Sequence, residues 1–288
     1  MFSKMLVATD LSEASQRVIG ALGGLKRLGT EEALLVHCLN APEVSGLVAS
    51  QMFELARPSF EKQKAELEGL GFRTSGRVVL GIPHVQVNQI ASEEACAFIV
   101  VGAEGHSMAG QFLLGGVACG VLHSATRPVL VIRPQPRGAA AGAEPWRDPL
   151  EHVLYPTDFS DNAERAFEYA EKLAECGARR ITLLHVQDQV RLGTHLADRL
   201  GEFNRIDTGR LERLKAELAK KGAGDVRLEL PYGVPKKAIV ERAGQGDISL
   251  VVMGSQGRGY FGEILLGSVS HAVARRSPVP VLLVPPVR

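Results

Sequence analysis

The stretch best equipped for chemistry is Met253-Gly254-Ser255-Gln256-Gly257-Arg258-Gly259-Tyr260-Phe261-Gly262-Glu263-Ile264-Leu265-Leu266-Gly267-Ser268. An apolar, strand-like segment from Ile248 to Met253 leads into it. A helix-like segment from about Ser268 leaves it. Glycines let the backbone turn sharply and approach a ligand closely. A helix starting at Gly267-Ser268 presents unbonded N–H groups and the positive end of its dipole. The Ser268 hydroxyl can donate to a phosphate oxygen. Together these parts make an anion cradle suited to a nucleotide phosphate chain. The second candidate is Asp158, in Tyr155-Pro156-Thr157-Asp158-Phe159-Ser160. It stands two residues ahead of Ser160, a plausible helix N-cap, so it can help to cap or reach a ligand.

Other motifs fit less well. A Walker A loop must end in Gly-Lys-Ser/Thr, and this loop does not. Gly257 to Gly262 satisfies G-x-G-x-x-G, but it falls in the last βαβ unit and lacks an acidic residue about 20 positions later. Gly105-His106-Ser107-Met108-Ala109 lacks the final glycine of the hydrolase elbow. Cys119 and His123 are spaced i,i+4 on a helix-like stretch, which gives only two of the ligands a metal needs. His37 and His185 occupy matching places in a repeat, which suits a structural role. No catalytic constellation and no protein metal site are identified.

The elements that must position these residues come in two copies. Asp10 recurs as Asp158, and His37 as His185, both 148 residues on. Gly81-Ile82-Pro83 recurs as Gly233-Val234-Pro235, 152 residues on. Gly102, Gly105 and Gly115 recur as Gly254, Gly257 and Gly267, and Pro128-Val129-Leu130-Val131 as Pro280-Val281-Leu282-Leu283. One small insertion accounts for the change of offset, so the chain is a tandem duplication. Between the copies runs a stretch from Arg133 to Pro145 dominated by Pro, Gly and Ala. It reads as a linker. The expected domains are residues 1–134 and 150–288, joined by a linker at 135–149.

Within the second copy, strand-like and helix-like stretches alternate. The strands are expected at Val153 to Pro156, Ile181 to Val186, Val226 to Leu230, Ile248 to Met253 and Val281 to Val284. Helices are expected from Ser160, over Leu196 to Lys221, from Pro235 and from about Ser268. This order predicts an α/β domain with a parallel sheet covered by helices on both faces. Right-handed crossovers are expected.

Composition sets the outer limits. The 288 residues are enough for about two domains. With 45% hydrophobic and 23% charged residues, the chain is globular. Lys+Arg 33 against Asp+Glu 32 leaves no large basic face for nucleic acid. Aromatics at 5% leave few platforms for stacking bases. The cysteines Cys38, Cys96, Cys119 and Cys176 form no CxxC pair, and a reducing cytoplasm fits them best. The apolar run at the N-terminus stops at Asp10, too early for a signal-peptide core. No apolar run approaches the roughly 20 residues of a membrane helix.

Gly254-x2-Gly257-x9-Gly267-Ser268 resembles the G-x2-G-x9-G-(S/T) motif of ATP-binding members of the universal stress protein family. The opening Tyr155-Pro156-Thr157-Asp158-Phe159-Ser160 and the ending Pro278-Val279-Pro280-Val281-Leu282-Leu283-Val284 are similar to that family's too. The resemblance extends over nearly the whole chain, as two tandem copies. It implies doubly wound domains, each a five-stranded parallel sheet of order 3-2-1-4-5. That order puts strands one and four side by side, and ligands bind at such a switch point. It also implies an adenine nucleotide, ATP or else AMP or ADP, with Mg2+ or Mn2+ at the phosphates. Carried over residue by residue, Pro156, Val186 and Met253 wall the adenine and ribose, and Asp158 bonds the nucleoside side. Gly254, Gly257, Gly267, Ser268 and the Val269 N–H hold phosphates, and Arg258 approaches them. The first copy keeps Asp10, Gly102, Gly105 and Gly115, but Gly116 replaces the Ser/Thr. Ala8, Cys38 and Glu104 stand in place of Pro156, Val186 and Gln256. A weak or vestigial site is expected there, with Glu104 repelling phosphate. The implied role is a stress-response binding or signalling module in the cytoplasm. A hydrolase or transferase on the same fold, or a non-binding scaffold, is the alternative. Pairing of the two copies through their fifth strands and a homodimer are also expected, with no nucleic-acid or membrane partner.

Overall fold

A computed structural model of the chain describes residues 1–40, 46–104, 114–133, 148–192, 200–257 and 266–287. The expected linker therefore falls almost wholly outside the described residues, as do Gly105 and Arg258. The chain divides into two compact units, Met1–Arg147 and Asp148–Val287.

In the first unit the strands are β1 (Lys4–Thr9), β2 (Glu32–Leu39), β3 (Arg73–Leu80), β4 (Phe98–Gly102) and β5 (Val129–Ile132). The helices are α1 (Glu13–Gly20), α2 (Gly46–Gly69), α3 (Pro83–Glu93) and α4 (Gly116–Ser124), with a 3-10 helix at Leu22–Leu28. The second unit holds β6 (Val153–Pro156), β7 (Arg180–Leu184), a short β8 (Gln187–Asp188), β9 (Asp225–Glu229), a short β10 (Tyr232–Gly233), β11 (Leu250–Gly254) and β12 (Val281–Val284). Its helices are α5 (Asp161–Glu175), the single turn α6 (Gln189–Leu192), α7 (Leu200–Lys220), α8 (Pro235–Ala243) and α9 (Ser268–Arg276).

The first sheet runs β3-β2-β1-β4-β5 and the second β9-β7-β6-β11-β12, with the strands within each unit parallel. Both follow the order 3-2-1-4-5. The central strand carries a neighbour on each side: Leu6 pairs with Leu34 and with Ile99, and Val153 pairs with Ile181 and with Leu250. These strands are almost continuously apolar because both faces are covered. The chain moves one way from the first strand to the third, then crosses back to the fourth. Right-handed crossovers therefore put α1 and α2 on one face and α3 and α4 on the other. α1 packs with α2 and α3 with α4, and in the second unit α5 packs with α7 and α8 with α9.

Local chemistry sets the boundaries. Ser12 and Ser160 cap α1 and α5, their hydroxyls accepting from Ser15 N at 3.1 Å and Ala163 N at 3.3 Å. Asp161 and Glu164 lie in the first turn of α5, where the dipole favours them. Pro83 and Pro235 open α3 and α8.

One shifted boundary bears on the site. The second strand of the second unit ends at Leu184, ahead of His185 and Val186. Its partner β6 ends at Pro156, and the last bond between the two comes from Thr157 N to Leu184 O, 2.9 Å. Gln187 then donates to Pro231 O at 2.8 Å, and β8 pairs with β10. The long helix expected over Leu196 to Lys221 is described over Leu200–Lys220, and residues 196–199 lie outside the described residues.

Candidate functional site

The site begins where β6 ends. Thr157 Oγ1 accepts from Phe159 N at 3.0 Å. Phe159 takes a left-handed backbone, with φ at 56°. That conformation is uncommon for a bulky residue and marks a tightly determined turn. Asp158 Oδ1 accepts from Ser160 N at 3.1 Å and from Ser160 Oγ at 2.6 Å. So Asp158 does support the α5 cap, by one oxygen. Its other oxygen lies against Gly257: a Cβ built there would stand 2.5 Å from Asp158 Oδ2. One carboxylate thus serves the turn and borders the glycine-rich loop. Below it, the Tyr155 hydroxyl donates to Ala163 O at 2.6 Å, and burial pushes its pKa up.

The other wall is the turn after β11. Ser255 N donates to Val284 O at 2.8 Å, and Gly267 N donates to Ser255 O at 2.7 Å. Asn162, buried in the first turn of α5, ties this turn down. Its Oδ1 accepts from Gln256 N at 2.8 Å and its Nδ2 donates to Val284 O at 3.1 Å. Gly254 lies so close that a Cβ there would be 2.8 Å from Asn162 Oδ1 and 3.0 Å from Asn162 O. Ser270 Oγ donates to Gly254 O at 2.9 Å.

α9 starts beside this turn. Its N-cap is Gly267, with no side-chain cap bond, so the exposed Ser268 is the first helical residue and not the cap. The first helical bond runs from His271 N to Gly267 O, 2.8 Å. The N–H groups of Ser268, Val269 and Ser270 precede it and point out of the helix end. The dipole there favours an anion.

The apolar residues singled out in the sequence sit at the carboxyl ends of the strands. Pro156 closes β6, Met253 lies near the end of β11, and Val186 follows β7. Met253 and Val186 are 6% and 7% exposed, so most of each belongs to the core. Asp158, Gly254, Gly257, Gly267, Ser268 and Val269 come together around the β6–β11 crevice. Asn162 and Ser270 were missed by sequence reasoning. Neither sits in a named motif, and they match Ala14 and Ala118 in the first copy.

The first unit repeats the bonds of both turns. Asp10 Oδ1 accepts from Ser12 N at 3.0 Å, Leu11 has φ at 62°, Ala103 N donates to Ile132 O and Gly115 N to Ala103 O, both at 2.8 Å. Gly102 and Gly115 stand as Gly254 and Gly267 do, and Gly116 is exposed with open space around it. Cys38, in place of Val186, donates its thiol to Gly81 O at 3.2 Å, and burial pushes its pKa up. The expectation that Glu104 repels phosphate needs correction. Arg133 Nη1 donates to Glu104 Oε1 at 2.7 Å, which neutralises it locally. Among the described residues, no three His, Cys, Asp or Glu side chains cluster as a metal site. No described helix is long and apolar enough to cross a membrane.

The model of the universal stress protein family matches residues 1–133 and again residues 149–285. A universal stress protein of Methanocaldococcus jannaschii is 30% identical over 155 residues, covering 46% of this chain and 96% of the relative. A universal stress protein of Mycolicibacterium smegmatis is 31% identical over 200 residues, covering 68% of this chain and 64% of the relative. The crystal structure of a universal stress protein from Archaeoglobus fulgidus superposes with a TM-score of 0.77 at 28% identity, covering 99% of each chain.

Proposed function

This chain belongs to the universal stress protein family, and we propose that its second unit binds an adenine nucleotide, foremost ATP, as a stress-response binding and signalling module. The observation that carries the reading is the meeting of Asp158 and Gly257 across the β6–β11 crevice. It joins a nucleoside-side carboxylate to a phosphate-side loop at the switch point of the sheet. The N–H groups of Ser268 and Val269, with the Ser268 hydroxyl, take phosphate oxygens. Asp158 takes the ribose hydroxyls, Pro156, Val186 and Met253 border the base, and Arg258 approaches the phosphate chain. The donor set suits a polyanion, being backbone N–H groups at a helix end with a hydroxyl beside them.

A divalent ion fits only as a passenger of the ligand. With no described carboxylate cluster to cage it, Mg2+ or Mn2+ would take its ligands from phosphate oxygens and water. Its part would be to neutralise phosphate charge.

The test is mass spectrometry of the small molecules released from the purified chain, followed by calorimetry with ATP. One adenine nucleotide per chain is expected. Two equal sites, or no adenine nucleotide in either measurement, would overturn the reading.

A further inference from the structure

Asp207 is a buried carboxylate on α7, 8% exposed. Burying a carboxylate is costly unless it is well bonded, and an apolar replacement is often neutral or better for stability. Its bonds are specific. Asp207 Oδ2 accepts from Gln187 Nε2 at 2.9 Å and lies 3.5 Å from His185 Nε2. Asp207 Oδ1 accepts from Arg210 Nη1 at 3.2 Å. One carboxylate oxygen therefore holds Gln187 on one side of Val186 and lies beside His185 on the other.

These residues are fixed from other directions too. His185 Nδ1 lies 2.7 Å from Thr157 O. A carbonyl only accepts, so Nδ1 carries the proton and Nε2 faces Asp207. The His185 ring packs on Phe159, centroids 4.6 Å apart, and the Arg210 guanidinium lies 5.3 Å from that ring centroid. His185 N and Gln187 N donate to Glu229 O at 3.0 Å and Pro231 O at 2.8 Å. Backbone groups alternate in direction along extended chain. The Val186 N–H therefore faces the opposite side, where β6 has ended and the crevice opens.

The first unit lacks the clamp. Its helix α2 ends with Phe72 N bonded to Leu67 O at 3.2 Å, as α7 is followed by Ala223 N bonded to Leu218 O at 3.1 Å. That register sets Ala56 where Asp207 stands. Leu39 and Cys38 replace Gln187 and Val186. The histidine bond persists, His37 Nδ1 to Thr9 O at 2.9 Å. The fold therefore forms without the carboxylate.

We infer that Asp207 is a positioning residue for base recognition, holding the Val186 backbone where it meets the base edge of the bound nucleotide. This rests on the nucleotide-binding reading above. A fixed donor and acceptor discriminate between bases that differ in their hydrogen-bonding edge.

The test is calorimetry of the full chain with ATP and with GTP. The wild-type chain is expected to prefer ATP. Asp207→Ala should weaken ATP by about tenfold and leave GTP within about twofold, so the preference collapses. Asp207→Asn, which still accepts from Gln187, should retain most of it. Gln187→Leu, with Asp207 intact, should lose part of it, and decides the matter should Asp207→Ala not fold. An unchanged preference, or an equal loss of ATP and GTP, overturns the positioning role. A wild-type chain that binds ATP without preferring it overturns this role alone, whereas one that binds no nucleotide overturns the reading beneath it as well.

Discussion

The two units share a strand order and two turns beside the crevice, and differ in what fastens them. Both turn the chain after the first strand through a left-handed residue, Leu11 or Phe159. Both lead their last helix off a glycine, Gly115 or Gly267. The second unit then adds side-chain ties. Asn162 holds the loop after β11, Ser270 holds Gly254, and Asp207 holds the chain beside Val186. The first unit has Ala14, Ala118 and Ala56 there, and an ion pair between Glu104 and Arg133. The duplicated backbone builds a helix end and a turn. A defined crevice needs the added bonds as well.

The largest expected effect on stability tests the packing of Gly254 against Asn162. Gly254→Ala would press a methyl on Asn162 Oδ1 at 2.8 Å and on the Asn162 backbone at 3.0 Å. Overpacking of this kind costs about 1–3 kcal/mol. Gly102→Ala meets its nearest atom, Glu104 O, at 3.2 Å and should cost under about 1 kcal/mol. Denaturation followed by hydrogen exchange of peptides from each unit reads both. Equal losses would break the comparison.

Asn162→Ala removes the tie and leaves the buried Gln256 N–H without it. The cost should be about 1–2 kcal/mol, at the low side because water can enter from the crevice. Faster exchange should be confined to residues 250–257. A loss spread evenly over the second unit would deny the local clamp.

Most of this architecture was legible in the sequence. Strand alternation and the repeat revealed both α/β units, and the spacing of Gly254, Gly257 and Gly267 with Asp158 outlined the crevice. Ser160 as a cap and Pro235 as a helix opener were readable because capping is local chemistry. Asn162, Ser270 and Asp207 were not, because their partners lie far along the chain and appear only when the sheet closes. Asp207 was hidden in a charged helix, where one buried acid looks like any solvated one. Glu104 was misjudged for the same reason, since its partner Arg133 is 29 residues away.

The ligand prediction is read on binding and not on stability. A hydroxyl bond to a charged phosphate contributes about 1.5–3 kcal/mol, so Ser268→Ala should weaken ATP at least about tenfold. Gly116 has open space around its Cβ position. Gly116→Ser should therefore fit and raise first-unit affinity modestly, leaving the second site stronger. Unchanged ATP binding in Ser268→Ala would remove the phosphate role of the hydroxyl.

The smallest effect lies at the opposite end of the sheets. In the first unit, Lys4 Nζ donates to Glu94 Oε2 at 3.0 Å, and Arg77 also pairs with Glu94. The Lys4 hydrogen bond, then the Arg77 charge, hold the Glu94 pKa below its ordinary value. In the second unit the place of Lys4 falls to His152, only 2% exposed. Its Nε2 lies 2.8 Å from Thr182 Oγ1 and its Nδ1 3.2 Å from Asp247 Oδ2, which is itself paired with Arg242. Burial pushes the His152 pKa below its ordinary value, Asp247 opposes this, and Arg242 adds to it. The unfolded chain therefore takes up a proton more readily than the folded one. Stability is full above about pH 6.5 and falls as pH drops through that value. Glu94, with its pKa lowered, gives a contribution that is full above the ordinary carboxylate pKa and is lost as pH falls below it, so the first unit should not follow between pH 7 and pH 5. The second unit should therefore lose stability between pH 7 and pH 5. Hydrogen exchange corrected for intrinsic rates, comparing β6 and β11 peptides with β1 and β4 peptides, should reveal it. His152→Gln should flatten the dependence in the second unit and leave the first unchanged. The same slope in wild type and His152→Gln would show that this end of the sheet does not distinguish the copies.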